Sequence, residues 1–331
     1  MMRRLSALKQ LDVAVAQNGV TLACGLPRVG RSSLLADWQS QHTSAKRCQS
    51  VEDVQLEPGV FILDHVDMNS VSKIVAIVRA VNEARSRSRL VIAPTDLVTA
   101  ERLRTTLTGL VGLIEVSPLR IDEVAALMNI QSSAIGPLDA VPTASAPQNR
   151  EANDPYKHWL RGGLPESLEA ESDKRSLEWR RTWLDSVLAR DYTEWGVARA
   201  FPLVDVLRWL ANQNGSELDD TSCPFAKRQE LLSAIHVLDL LGLLRRLPNF
   251  PAGSSKSLGG KKKVFLRDTG VLHALLGIET LSQLRSHPAI GGSFESYATE
   301  ALILAADGQC GAQFYREKGS GGEDEIDLVL D

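Results

Sequence analysis

The fold is decided by a stretch near the N-terminus that begins apolar and ends polar: Val20-Thr21-Leu22-Ala23-Cys24-Gly25-Leu26-Pro27-Arg28-Val29-Gly30-Arg31-Ser32-Ser33. Its first five residues are typical of a buried strand, and a helical pattern follows from Ser32. Between them, residues 25–33 fit the pattern G-x-x-x-x-G-[K/R]-S. The two glycines let successive N–H groups surround phosphate oxygens, and the start of a helix adds partial positive charge. The stretch predicts a phosphate-binding loop; an ordinary strand–helix turn is the alternative.

One residue of this loop departs from the pattern. Arg31 stands where the pattern needs a lysine, a compact charge that reaches between the β- and γ-phosphates. Arginine keeps the charge but is larger and planar, so the exchange is not conservative. Ser32 is the residue expected to hold Mg²⁺. The sequence therefore predicts ATP, or ADP in its place, together with Mg²⁺ as ligands, and leaves the strength of binding open.

Two further positions follow later apolar runs. Asp64 ends the run of residues 60–64, where a carboxylate can hold Mg²⁺ through water; the alternative is a simple cap of the strand. His65 comes next, where such sites usually carry a glutamate that polarises the attacking water. Thr95 follows the run of residues 90–93 and is a candidate sensor of the γ-phosphate, with a turn threonine as an equal alternative.

The first 130 residues alternate between short apolar runs and helical patterns. This alternation predicts an α/β fold, with a mainly parallel sheet covered on both faces. Residues 131–155 are rich in Ser, Ala, Pro and Asn and are predicted to be a linker or long loop.

The second half of the chain has a different pattern. Residues 156–200 are predicted to be helical, residues 201–272 to form a winged-helix-like domain, and residues 285–331 to form a shorter α/β piece. Polar residues at the second helix and in a lysine-rich turn are candidate nucleic-acid contacts. They are Lys227, Arg228, Lys261, Lys262 and Lys263. We favour the alternative that this module packs against protein, because the chain is acidic and few of its residues are aromatic.

Composition narrows the class of protein. The chain has 331 residues, a net charge of −4 and 44% hydrophobic residues, as soluble globular chains do. Its four cysteines lie far apart without a Cys-x-x-Cys pair, which predicts no disulfide framework or structural zinc site and fits a cytoplasmic location. No apolar run reaches the roughly 18 residues of a membrane-spanning helix, so no membrane contact is expected.

Eight short motifs in order carry a resemblance to a known family. They are residues 25–33, 62–64, 117–123, 162–166, 190–191, 265–270, 292–296 and 325–330. The chain resembles the bacterial and archaeal AAA-type P-loop ATPases with a C-terminal domain of unknown function related to the restriction-endonuclease-like fold. The resemblance covers nearly the whole chain and implies an ATP-binding domain with a helical lid. It implies Lys, Glu and Arg at the positions of Arg31, His65 and Leu110. Without these groups, hydrolysis is expected to be feeble or absent.

The same resemblance bears on two acidic residues near the C-terminus. Glu295 on a helix and Asp327 on a strand are similar to the first two metal-binding carboxylates of restriction-type nucleases. The pattern then requires Glu-x-Lys on the next strand, and the sequence ends at Asp331 before it; whether this end is natural stays open. We expect a vestigial metal site.

Three functions remain at this point. The first is nucleotide binding with weak or absent hydrolysis, in a regulatory or assembly role with a protein partner or a second copy. The second is an active ATPase coupled to DNA handling or nuclease activity. The third is an interaction protein that binds no nucleotide.

Overall fold

The computed structural model describes residues 4–55, 57–83, 87–127, 154–250, 261–306, 311–319 and 322–331. The chain divides into two compact units, Met1–Ala144 and Ser145–Asp331. The predicted linker, residues 131–155, lies outside the described residues except for its last two positions. Cys310 also lies outside them.

A five-stranded sheet forms the centre of the first unit. Its strands are β1 (Val20–Gly25), β2 (Lys46–Cys48), β3 (Gly59–Val66), β4 (Ser88–Pro94) and β5 (Gly112–Val116). Their order is β2-β3-β4-β1-β5, and all the pairings are parallel. The predicted α/β class with a parallel sheet is confirmed. Four strands were expected from their apolar runs; β2 was missed because it has three residues, of which only Cys48 is buried.

Helices surround this sheet. They are α1 (Leu5–Gln17), α2 (Arg31–Gln41), α3 (Val71–Glu83), α4 (Leu97–Thr106) and α5 (Ile121–Leu127). On α3, the buried residues Ile74, Val78 and Val81 recur at helical spacing and pack in one cluster with Phe61 and Ile92 of the strands. This packing fixes the positions of the C-terminal ends of β3 and β4, where the buried apolar residues give way to polar ones.

The second unit is mainly helical. Its helices are α6 (Pro155–Arg161), α7 (Pro165–Glu169), α8 (Asp173–Leu188), α9 (Leu203–Asn212), α10 (Arg228–Leu240), α11 (Thr269–Leu276), α12 (Leu281–Ser286) and α13 (Ile290–Ala305). Its strands are β6 (Ser216–Glu217), β7 (Leu244–Leu247), β8 (Lys263–Leu266), β9 (Ala312–Gly319) and β10 (Gly322–Leu330). The first three form an antiparallel sheet in the order β6-β8-β7, and β9 pairs with β10.

None of the described helices is both long and apolar enough to cross a membrane.

Candidate functional site

The predicted phosphate loop joins the end of β1 to the start of α2. Gly25 is the last residue of β1, and Gly30 is the N-cap of α2 with a φ of 96°. Arg28 is also left-handed, with a φ of 65°. The cap residue has no side chain to accept a bond from the first turn, and a helix leaves its first N–H groups without helical acceptors. The loop therefore presents main-chain donors at a helix N-terminus, the arrangement that binds anions.

Gly25 is also required by the packing of the sheet. A Cβ at this position would overlap the carbonyl oxygen of Val116 on β5. The first glycine of the motif thus has a structural reason to be glycine besides its place in the loop.

Arg31 does not extend from the loop as a free cation. Its guanidinium donates hydrogen bonds to the carbonyl oxygen of Pro94 and, at 3.0 Å, to that of Thr95. Both acceptors lie at the end of β4. The charge that the pattern assigns to the phosphates is therefore bound to the edge of the sheet.

Asp64 lies beside the loop on β3. Its side chain is only 7% exposed, and the Ser32 hydroxyl donates to its Oδ1 over 3.4 Å. Oδ2 is buried and accepts no hydrogen bond, although Arg47 Nη1 lies 3.5 Å away. A buried carboxylate oxygen that lacks a hydrogen bond is costly unless a cation or water completes its surroundings. Ser32 and Asp64, which the sequence placed in one site, are brought together.

His65 follows Asp64 in a strained conformation. Its φ is 57°, a value rarely adopted by a side chain that is not glycine, and its N–H donates to Asp64 Oδ1 at 2.9 Å. The imidazole is 73% exposed, with Nε2 3.5 Å from Ser32 Oγ and 3.7 Å from Asp64 Oδ2. The sequence showed that His65 stands where a glutamate is expected, but it gave no indication that the imidazole ring turns toward Ser32.

Two other predicted positions lie near the edge of the sheet. The Thr95 hydroxyl is 3.1 Å from the Val66 carbonyl oxygen and 3.3 Å from Asp96 Oδ2, so it links the ends of β3 and β4. Leu110 lies in the turn before β5 and is 37% exposed, with no group that could stabilise a developing charge. The sensor role of Thr95 stays a prediction.

One residue of the loop's surroundings was missed by sequence reasoning. Arg4 is buried and donates to the carbonyl oxygens of Val29, within the loop, and Ser117. Burial lowers its pKa, against the opposing effect of Glu123. Arginine side chains are usually exposed to solvent, so the sequence gave no indication of these buried hydrogen bonds from Arg4.

The residues present fit a nucleotide with Mg²⁺ in part. The loop donors suit phosphate oxygens, and the Ser32 hydroxyl with the Asp64 carboxylate offers the oxygen ligands that Mg²⁺ prefers. The groups that would accelerate phosphoryl transfer do not fit: Arg31 is bound to β4, and position 65 has no carboxylate.

In the second unit, the two carboxylates of the expected vestigial metal site meet around a lysine. Lys263 of β8 has a side chain only 2% exposed, and its Nζ lies 2.8 Å from both Glu295 and Asp327 and also contacts Glu325. Burial opposes the lysine charge, but hydrogen bonds to Asp327, Glu295 and Glu325 raise the pKa of Lys263. The described part of the chain holds no group of three or more His, Cys, Asp or Glu able to bind a metal ion.

This cluster corrects one prediction and bears on another. Lys263 was a candidate nucleic-acid contact, but its burial among carboxylates leaves its charge neutralised and out of reach of a phosphate. Lys263 Nζ lies between Glu295 and Asp327, the two residues of the expected vestigial metal site, whose metal role stays a prediction. The lysine comes from a strand that precedes both carboxylates in the chain, so a search for a lysine after Asp327 could not find it.

The other candidate nucleic-acid contacts are exposed. Arg228 pairs with Asp220 at 3.0 Å, and Lys261 lies 4.0 Å from Asp219. Lys227 is the N-cap of α10, and Lys262 is exposed on the chain just before β8. Because Arg228 and Lys261 already have acidic neighbours, the surface is less basic than the sequence suggested.

Comparison with known proteins supports the fold and does not identify the function. Residues 153–282 match the family described as "Domain of unknown function (DUF8612)". Uncharacterized protein Mb2031c of Mycobacterium bovis and Uncharacterized protein Rv2008c of Mycobacterium tuberculosis are each 33% identical to the chain over 150 residues. That alignment covers 44% of this chain and 34% of each relative. The chain thus spans about a third of the length of these relatives.

A solved structure resembles most of the chain. The Walker-type ATPase PABY2304 of Pyrococcus abyssi superposes with a TM-score of 0.53 at 12% identity, over 83% of this chain and 96% of that one. The ORC1 protein of Aeropyrum pernix, solved in complex with DNA, gives a TM-score of 0.29, which is too low to support any inference. The first match indicates that the chain has the fold of a P-loop ATPase.

Proposed function

We propose that the N-terminal unit binds ATP with Mg²⁺, hydrolyses it slowly or not at all, and serves a regulatory or assembly role. The observation that carries the proposal is the contact between Ser32 and Asp64. The loop hydroxyl lies 3.4 Å from a carboxylate whose other oxygen is buried without a hydrogen bond. This pair stands beside a helix N-terminus capped by a left-handed glycine. The P-loop ATPase fold of the Pyrococcus abyssi protein supports the same interpretation.

The role of each residue in binding follows from its position. The main-chain N–H groups of residues 30–33 would hold phosphate oxygens, and the Ser32 hydroxyl and Asp64 carboxylate would hold the cation. A bound Mg²⁺ supplies Lewis-acid polarisation of the phosphate oxygens. Arg4, by its bond to the Val29 carbonyl, keeps the loop backbone in place before the ligand arrives.

Slow hydrolysis follows from three side chains. The Arg31 guanidinium is held by the carbonyl groups of Pro94 and Thr95, so it does not reach toward the β- and γ-phosphates. His65 offers no carboxylate to orient a water molecule, and Leu110 offers no positive charge. An arginine finger alone contributes roughly 10³–10⁵ in rate, so the loss of all three groups leaves binding with little turnover. The biological output would then depend on the bound state, through a protein partner or a second copy of the chain.

The test is a fluorescence titration with a labelled ATP analogue in the presence of Mg²⁺. Wild-type protein is expected to bind, and Gly30→Val to lose binding, because valine at a φ of 96° would distort the loop. Gly109→Val is the matched control: Gly109 is also left-handed, at 79°, and has nothing within 4 Å of an added Cβ. It is expected to bind as the wild type does.

The outcome distinguishes the candidate functions. No binding by the wild type at millimolar nucleotide would refute the proposal and leave an interaction protein that binds no nucleotide. Turnover well above that of Ser32→Ala would refute slow hydrolysis and favour the active ATPase. Equal loss of binding in Gly30→Val and Gly109→Val would assign the effect to general destabilisation and not to the loop.

A further inference from the structure

We propose that Arg47 binds the terminal phosphate of the nucleotide and so distinguishes a triphosphate from a diphosphate. The inference rests on the proposed function, in which the loop binds ATP together with Mg²⁺. It adds a specificity-determining residue on β2, a strand that lies outside the phosphate-loop pattern. Slow hydrolysis is still expected, because Arg47 does not replace the carboxylate that position 65 lacks.

The loop does not deliver the side-chain cation that its pattern assigns to the terminal phosphates. Position 31 keeps a positive charge, but the guanidinium of Arg31 donates to the carbonyl oxygens of Pro94 and Thr95. Main-chain N–H groups and Mg²⁺ then remain as partners for the phosphates. Sites for triphosphates normally add a lysine or arginine to these partners, so a triphosphate held by the loop alone would lack one of them.

Arg47 lies at the same edge of the sheet as the loop. It is the middle residue of β2 and pairs with Ile62 of β3, two residues before Asp64. Because the strands of this sheet are parallel, their carboxyl ends meet at one edge, where the loop follows β1. Arg47 Nη1 lies 3.5 Å from Asp64 Oδ2, and Asp64 Oδ1 lies 3.4 Å from Ser32 Oγ. A single carboxylate therefore separates the guanidinium from the loop hydroxyl.

The guanidinium is attracted to Asp64 without being fixed there. Asp64 Oδ2 accepts no hydrogen bond, and its 3.5 Å separation from Arg47 Nη1 exceeds the ~2.7–2.9 Å typical of a charge-assisted hydrogen bond. The side chain of Arg47 is also 37% exposed, and rotamers of exposed side chains change readily. Arg47 is thus available to an acceptor that binds it more strongly.

We expect Arg47 to change partner when the site is filled. Once Asp64 holds a cation, its carboxylate attracts the guanidinium less, because two positive charges then compete for it. The terminal phosphate beside the Ser32 hydroxyl offers oxygens in its place, and the planar guanidinium binds phosphate through two parallel hydrogen bonds. A diphosphate lacks this group and gives Arg47 no such partner.

The experiment compares the affinities of the full chain for labelled ADP and for a labelled non-hydrolysable ATP analogue, both with Mg²⁺, by fluorescence titration. Arg47→Gln is expected to weaken binding of the ATP analogue about tenfold or more and to leave ADP binding within about twofold of the wild type. The reason is that a hydrogen bond between charged groups is lost only with the triphosphate. Arg47→Lys should recover part of the loss, because lysine keeps the charge but not the paired bonds.

Lys46→Gln is the matched control. Lys46 is the neighbouring residue of β2, its side chain is 61% exposed, and it pairs with Glu57 at 3.0 Å. The substitution removes the same charge from the same strand and should leave the affinity for both nucleotides as in the wild type. Equal losses of ATP-analogue binding in Lys46→Gln and Arg47→Gln would contradict the inference, since they would reflect only the net charge of β2.

The use of two nucleotides separates this role from a merely structural one. If Arg47→Gln weakens binding of both nucleotides equally, changes neither, or strengthens binding of the ATP analogue by releasing Asp64, the inference is wrong while the proposed function stands. If the wild type binds neither nucleotide at millimolar concentration with Mg²⁺, the proposed function itself fails.

Discussion

Asp268 fills the space that a Cβ on Gly162 would need. Gly162 has a left-handed φ of 74°, and the next residue, Gly163, donates its N–H to Asp268 Oδ2 at 2.7 Å. The other carboxylate oxygen accepts from Val271 at 2.9 Å and so caps α11. Two motifs that lie about a hundred residues apart, both within the matched domain of unknown function, thus form one buried contact that serves the fold of the second unit.

This contact predicts that Gly162→Ala will destabilise the second unit by about 3 kcal/mol or more, because an overlap with a buried carboxylate adds to backbone strain. Gly277→Ala is the control: Gly277 has the same φ of 74°, but an added Cβ would meet only Arg181 Nη2 at 3.7 Å. It should lose only about 1–2 kcal/mol from strain. Urea denaturation followed by tryptophan fluorescence measures both. Equal losses in the two variants would show that the overlap is relieved at little cost.

The fold was predictable where burial follows from local sequence, and the site only in part. Short apolar runs gave the larger strands of the sheet, and the spacing of two glycines gave the loop. The burial of Lys263 was not predictable, because lysine is almost never fully buried unless paired, and its partner Asp327 is 64 residues away. The anchoring of Arg31 on β4 likewise depends on strand order, which spacing along the chain does not reveal.

His273 predicts a loss of stability in mild acid. Its Nδ1 lies 2.9 Å from the Leu160 carbonyl, which can only accept, and its Nε2 lies 2.7 Å from the Ser293 hydroxyl. Burial lowers the pKa of His273 from 6.5 to about 4, so the folded state holds it neutral. As pH falls from 6.5 toward 4, the unfolded chain binds a proton that the folded chain does not, and up to about 3 kcal/mol of stability is lost.

Denaturation in urea at pH 7.5, 6 and 5 measures this effect. The slope against pH should be smaller in His273→Gln, which cannot titrate, whatever its stability at pH 7.5. His236→Gln, a change at an exposed histidine, should keep the wild-type slope. A slope that is unchanged in His273→Gln would contradict the assignment.

The Lys263 cluster predicts a loss of stability that a second substitution repairs. Lys263→Met leaves Glu295, Glu325 and Asp327 close together without their cation, and should cost about 2 kcal/mol. This is below the value for fully buried pairs because the carboxylates are partly exposed. Adding Glu295→Gln should recover part of the loss, since it removes one of the three like charges. Lys261→Met, at an exposed lysine, should change little.

Thermal and urea denaturation of the wild type, Lys263→Met, Glu295→Gln and the double variant gives the coupling between positions 263 and 295. Additive losses in the double variant would show that Lys263 and Glu295 are not coupled, and would contradict this prediction.

The loop predicts a gain of function on restoring two residues together. In Arg31→Lys/His65→Glu, the arginine bound to the carbonyl groups of Pro94 and Thr95 is replaced by a lysine, which can reach the phosphates. The glutamate at position 65 can orient a water molecule. ATP turnover with Mg²⁺ should rise about 10²-fold over the wild type but stay slow, because Leu110 still supplies no charge. Adding Ser32→Ala to the double variant should abolish the gain, since the hydroxyl beside Asp64 is then lost. If the double variant binds ATP with no rise in turnover, the loop and Asp64 are not arranged for phosphoryl transfer.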